Sequence, residues 1–253
     1  MKEIIVTTSW DDGAAEDTKL LGLLNKYELK GTFYIPESID YEIEEGKKII
    51  RMSDDEVRHL AESQEVGAHS LSHIYFDKLN GEDVKAEISG SKGYLEDLIG
   101  KDIKMFCYPG GVFTDDDKYE VKSAGFLGAR TVDLFKFEVD DFFRMPTSIN
   151  CYPFPFRYDS LHAFFQPLLK YKTQILKLKL PLKSFLSWKN LTKSMFRHTT
   201  LGGGVFHLWG HSWEIEKNNM WKELEEVFKY ISNRENVKYM TNSEVLEFFK
   251  AKD

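Results

Sequence analysis

The chain has 253 residues, of which 42% are hydrophobic and 30% charged, ordinary for a globular protein with one sizeable core. Its net charge of −7 points away from nucleic acid as a partner. It contains no run of about 18 uncharged apolar residues, so no transmembrane helix is expected.

The N-terminus, MKEIIVTTSW, enters a strand at once and lacks the basic, apolar and small-residue regions of a signal peptide. A cytoplasmic location is the expectation. Cys107 and Cys151 are too few for a disulfide framework and suit a reducing compartment.

From the N-terminus onward, β-rich runs alternate with helical patterns. A strand over Ile4–Ser9 precedes a helix over Ala14–Tyr27, and a strand over Gly31–Ile35 precedes one over Asp54–Ser63. Strands then follow at Glu65–His69 and Lys104–Tyr108, each leading to a helix, at Glu82–Ile99 and Asp115–Ser123. Further strands are expected at Phe126–Val132, Phe143–Ile149, Gly204–Trp209 and Val237–Met240, with helices at Met220–Ser232 and Ser243–Ala251. Ser53 with Glu56, and Thr241 with Glu244, have the spacing of capping boxes. Such alternation predicts an α/β fold with a mostly parallel sheet, and with no linker in sight a single domain over 1–253.

Residues 160–200 differ from the rest. They hold eight Lys or Arg and no Asp or Glu, interleaved with Leu, Ile and Phe. One reading is one or two amphipathic helices covering the barrel. The other is a basic surface that makes peripheral contact with an anionic glycan or membrane face.

Four stretches could carry chemistry. In SWDDG, Asp11 and Asp12 stand side by side at a strand end. Asp-Gly alone can be a plain turn. In EVGAHSLSH, His69 and His73 would share a helix face one turn apart if helix begins at Ser70, a spacing that suits two ligands of one metal ion. Strand C-termini converge on one rim of a parallel barrel, so Asp12 can complete a two-histidine, one-carboxylate set. Asp11 is then free as a general base, and the cation offsets the repulsion between the acids.

In VFHLWGHSWE, His211 falls on the rim and suits a general acid, while His207 reads as structural. Glu214 either orients His211 or is a solvated loop acid. In FCYPGG, the glycines would let backbone N–H groups approach an oxyanion, though a simple loop explains them equally. Cys107 reads as a buried thiol. His59, His162 and His198 have no motif around them, and His59 and His198 are expected at the surface. Arg144 begins an expected strand that reaches either this rim or the opposite one.

These four stretches, in this order, resemble the motifs of the polysaccharide deacetylase superfamily, the NodB-homology or carbohydrate esterase family 4 group. The resemblance implies a distorted (β/α)7-8 TIM-like barrel that hydrolyses the N-acetyl amide of an amino sugar or glycan. It implies Asp11 as the base, His211 as the acid, and Asp12, His69 and His73 as metal ligands. Zinc is the expected ion, with cobalt or nickel as alternatives. Tyr108, Gly110 and Arg144 would face the oxyanion and substrate, and Ser70, His207 and Glu214 would support the machinery.

The sequence departs from the family pattern at Cys107, which stands where the third motif usually has an Arg paired with the catalytic Asp. The usual fourth-motif Asp and Trp are not evident. Arg144 or Arg130 is expected to supply the missing charge. Two alternatives remain: a cyclic-amide or other C–N hydrolase of the same superfamily, some of which need no metal, and a non-catalytic glycan-binding module. Binding alone would not require all the matched acids and histidines.

Overall fold

In the structure, a computed structural model describing residues 3–44, 47–157 and 164–252, the N-terminal apolar run becomes β1 (Ile4–Asp11). Seven of its eight residues are buried, because both of its faces are covered. On one side β1 pairs with β2 (Gly31–Ile35), and on the other with β9 (Gly204–Gly210). The sheet continues through β5 (Glu65–Ala68), β6 (Met105–Cys107) and β7 (Gly128–Arg130), and beyond β9 to β8 (Ile149–Asn150). Its order is β7-β6-β5-β2-β1-β9-β8, with every pair parallel. β10 (Lys238–Tyr239) pairs with the N-terminal half of β1. A separate antiparallel ribbon, β3 (Glu42–Glu44) and β4 (Lys47–Lys48), lies outside.

The two sheet edges are bridged by one broken strand. Met145 pairs with Arg130 of β7, and four residues later Ile149 pairs with Leu208 of β9. The expected strand over Phe143–Ile149 is therefore corrected: residues 142–144 form a 3-10 turn, and only Ile149–Asn150 is strand. Pro146 has no N–H for a ladder, so the run cannot pair continuously. The curled parallel sheet with its helices is the distorted (β/α) barrel expected from the sequence.

Between strands come α1 (Asp17–Lys26), α2 (Asp54–Leu60), α3 (Gly81–Ile99) and α4 (Asp115–Ser123). Later come α7 (Ser212–Lys217), α8 (Trp221–Ile231) and α9 (Asn242–Lys250). The capping boxes at Ser53/Glu56 and Thr241/Glu244 are present, and a third, Thr114/Asp117, starts α4. The basic segment folds as α5 (Gln166–Lys177) and α6 (Trp188–Gly202). α6 buries Trp188, Leu191, Met195 and Phe196. Residues 160–163 of that segment, with His162, lie outside the described residues. Among the described residues no helix is long and apolar enough to cross a membrane.

At Gly128, where β7 begins, an added Cβ would meet the Phe142 carbonyl oxygen and the Leu246 side chain. Backbone cannot retreat as a flexible side chain can, so Gly128→Ala should cost about 1–3 kcal/mol. Urea unfolding checks this, and an unchanged midpoint would contradict the close approach.

Candidate metal centre and active site

The two acids are separated by a turn. Asp11 is the last residue of β1, and Asp12 follows with φ 79°, its N–H bonded to the Tyr34 carbonyl at 3.0 Å. A non-glycine residue in that region costs about 1–3 kcal/mol, a cost that persists only where the surroundings impose it. The turn sends the two carboxylates to different partners.

Asp12 meets the histidines. Past the end of β5 the chain does not become helix, which corrects that expectation. Ser70 (φ 61°) and His73 (φ 55°) are both left-handed, and the His73 N–H donates to Ser70 Oγ at 3.0 Å. Glu87 of α3 holds the turn by accepting from the N–H groups of Leu71 and Ser72 and from Ser72 Oγ. The imidazoles are brought together by this turn, with centroids 4.8 Å apart. Asp12 Oδ1 lies 3.2 Å from His73 Nε2 and 3.7 Å from His69 Nε2.

These residues fit a divalent metal ion. The ligand atoms of Asp12, His69 and His73 lie within 4.8 Å of one another. Asp12 Oδ1 is buried and accepts no hydrogen bond, while Oδ2 accepts from Trp213 Nε1 at 2.8 Å. His69 Nδ1 lies 2.8 Å from the Cys107 carbonyl. A carbonyl can only accept, so Nδ1 carries the proton and Nε2 offers its lone pair to a metal. Burial, with the neighbouring His73, lowers the His69 pKa to about 4, which keeps it neutral as a ligand must be. Asp11, His69 and Cys107 also cluster. That set fits less well, because burial pushes the Cys107 thiol far up and Asp11 already has a cation.

That cation is Arg130. It is fully buried, its Nη2 donates to Asp11 Oδ1, and its guanidinium lies over the rings of Trp209 (4.7 Å) and Tyr34 (5.2 Å). Burial alone would raise the Asp11 pKa, but Arg130, then His69 and His211, hold it below its ordinary 3.8. Cys107 and Arg130 are register partners on β6 and β7. The missing third-motif charge is thus supplied from the adjacent strand at the same height. Arg144 is corrected: its side chain is 53% exposed and pairs with Asp133 at 3.1 Å, and it does not line the cavity.

After β9, His211 Nε2 lies 3.9 Å from Asp11 Oδ2 and 3.8 Å from Asp12 Oδ2, while Nδ1 lies 2.7 Å from Glu214. Burial opposes its charge, but Glu214, Asp12 and Asp11 outweigh burial and raise its pKa to about 10. A cation beside Asp12 removes part of that pull and leaves Glu214 as the main support. His207 lies beneath the site. Its Nδ1 faces the Pro146 carbonyl at 3.0 Å, its Nε2 faces Ser9 Oγ at 2.8 Å, and burial lowers its pKa to about 3.

The five acids and histidines Asp11, Asp12, His69, His73 and His211 open into one cavity of about 290 Å³. Gly110 (φ 61°) lines it, with Tyr75 packed where a Cβ would stand. Tyr108 also lines it, but its hydroxyl donates to the Phe143 carbonyl at 3.1 Å, so any donor it offers a substrate is not the phenol. Trp213 was missed by sequence reasoning, although it stands two residues after His211 in a quoted motif. Arg157 and Lys170, also in the wall, carried no motif signal. His59 is exposed and pairs with Glu62, and His198 is half-buried against Phe137.

Fold and site together define a parallel α/β barrel with an Asp–His–His cluster, suited to a divalent metal, at the C-terminal ends of its strands. Residues 1–129 match the polysaccharide deacetylase family, and the chain belongs to it. A curated relative, the peptidoglycan-N-acetylglucosamine deacetylase of Bacillus cereus, is 25% identical over 126 residues, 49% of this chain and 54% of that protein. The chain thus spans about half the length of that relative. Among solved structures, a Mycobacterium smegmatis protein described as a polysaccharide deacetylase has a TM-score of 0.67 at 15% identity, covering 99% of this chain and 91% of that one. A family 4 acetyl xylan esterase from Clostridium thermocellum, solved with cobalt, has a TM-score of 0.57 at 14% identity, covering 98% and 92%. At these identities both speak to the fold alone.

Removing Arg130 leaves a buried carboxylate unpaired, so Arg130→Met should cost about 3–5 kcal/mol at neutral pH. Asp11 has a depressed pKa, so the pair's stabilisation is present above 3.8 and lost as pH falls through the folded value. The gap between variant and wild type should therefore narrow in acid, as urea unfolding across pH would show. Arg144→Ala should stay within about 0.5 kcal/mol of wild type. Equal losses from the two changes would contradict the assignment of the pair.

Proposed function

We propose that the protein is a metal-dependent hydrolase that removes the acetyl group from an N-acetylated amino sugar. The observation that carries this reading is the division of the two acids. Asp12 presents an unbonded buried oxygen to His69 and His73, while Asp11 is held ionised by Arg130 beside them.

A divalent ion held by Asp12, His69 and His73 would polarise the acetyl carbonyl and lower the pKa of a water. Two nitrogens and one carboxylate oxygen with an open fourth position suit zinc, and cobalt or nickel could substitute. Asp11 Oδ1 is taken by Arg130, so Oδ2 is the oxygen that accepts the proton of the attacking water. As oxygen adds to the carbonyl carbon, the Gly110 N–H donates to the developing oxyanion. His211, protonated and oriented by Glu214, then gives its Nε2 proton to the nitrogen as the C–N bond breaks. The products are acetate and a free amine.

The cavity suits one sugar ring with aromatic walls, including Tyr41, Tyr75, Trp209 and Trp213. The Bacillus cereus relative, named for N-acetylglucosamine, supports the same substrate class. Acetate release from N-acetylglucosamine and its oligomers should stop after chelation and return with one equivalent of zinc, cobalt or nickel per chain. An active chain without bound metal, or cyclic amides opened in preference to acetate release, would overturn the reading.

A further inference from the structure

Helix α5 buries one face and leaves the other uncovered, and the 3-10 turn over Leu182–Leu186 and the C-terminal end of α6 expose further apolar side chains. Six of the ten large hydrophobic side chains exposed among the described residues lie between Phe165 and Leu201. The most open are Leu182 at 84%, Leu201 at 79% and Leu186 at 72%. On α5, Leu169 and Leu176 stand seven residues apart, two turns along one exposed face.

The same surface is basic. Residues 160–200 carry eight positive charges in a chain whose net charge is −7, so the remainder carries −15. A groove of about 520 Å³ runs between residues 178–183 and α6. Lys179, Lys183, Lys193 and Arg197 line it beside Leu180 and Leu201, with no acid in its lining. Among the described residues none of these four cations is in an ion pair; Glu226 of the neighbouring α8 is engaged by Lys189.

We propose that residues 164–202 dock on an anionic lipid surface. The exposed leucines enter the headgroup region, and the groove cations take a phospholipid phosphate. Leucines among lysines match the interface of a bilayer, where apolar burial and headgroup charge act together. An anionic glycan would use the cations and leave the aliphatic side chains uncovered. A second copy in the same orientation would oppose eight positive charges to eight. The acidic remainder of the molecule is repelled by such a surface and so orients the basic face toward it. Association is peripheral, since no described helix can span the bilayer.

Docking would also place the cavity at the interface, because Lys170 and Tyr171 of α5 form part of its wall. The inference does not depend on the deacetylase reading.

Sedimentation of the full chain with phosphatidylcholine vesicles, with and without phosphatidylglycerol, tests it. The chain should pellet only with the anionic lipid, and less so as salt rises. The double variants Leu182→Glu/Leu186→Glu and Lys183→Glu/Arg197→Glu should each weaken binding about tenfold or more. Both pairs are solvent-exposed, so thermal unfolding should not change. Tyr119→Glu, an exposed aromatic on α4, should bind as wild type. No binding to anionic vesicles would overturn the proposal. So would binding insensitive to the leucines and fully displaced by heparin, which would assign the face to an anionic glycan, or a leucine-dependent dimer without vesicle binding.

Discussion

The site rests on a buried ion pair. Arg130 has no exposed surface and donates to Asp11, between the rings of Trp209 and Tyr34. Two adjacent buried carboxylates repel each other, and that repulsion is offset by positive charge standing by. Arg130 supplies it for Asp11, and the Asp12, His69 and His73 cluster is suited to a cation that supplies it for Asp12. The barrel makes the pair possible. Parallel strands align Cys107 with Arg130 and bring both strand ends to the level of Asp11.

The surroundings divide the work among groups of similar chemistry. Three histidines are distinguished by their environments alone. Burial and His73 keep His69 neutral, burial and the nearby Arg130 charge silence His207, and Glu214 with the two aspartates charges His211. Three of the nine non-glycine residues with positive φ among the described residues, Asp12, Ser70 and His73, lie in the same place. Hydrogen bonds from backbone N–H groups to the Tyr34 carbonyl, the Glu87 carboxylate and Ser70 Oγ hold these conformations.

Much of this was legible in the sequence. Apolar runs broken by Gly and Asp marked β1, β2, β5 and β9, and two capping boxes marked helix starts. The cluster of Asp11, Asp12, His69, His73 and His211 followed from strand ends sharing a rim. The turn at Ser70 did not, because positive φ at Ser and His leaves no compositional mark as it would at Gly. The choice between Arg130 and Arg144 was not legible either. It depends on the register of β7 against β6, which sequence spacing does not encode, and on the interruption that Pro146 marks but that the strand expected over Phe143–Ile149 passes over. Trp213 was overlooked because its role, a single N–H to Asp12 Oδ2, is visible only once the two loops meet.

The central claim is that the adjacent acids hold different posts, one a ligand and one a base. The most direct measurement is metal content and acetate release, made side by side on Asp11→Asn and Asp12→Asn. The account predicts that Asp11→Asn keeps its metal and loses turnover, while Asp12→Asn loses both. Loss of metal in Asp11→Asn, or full metal retained in Asp12→Asn, would contradict it.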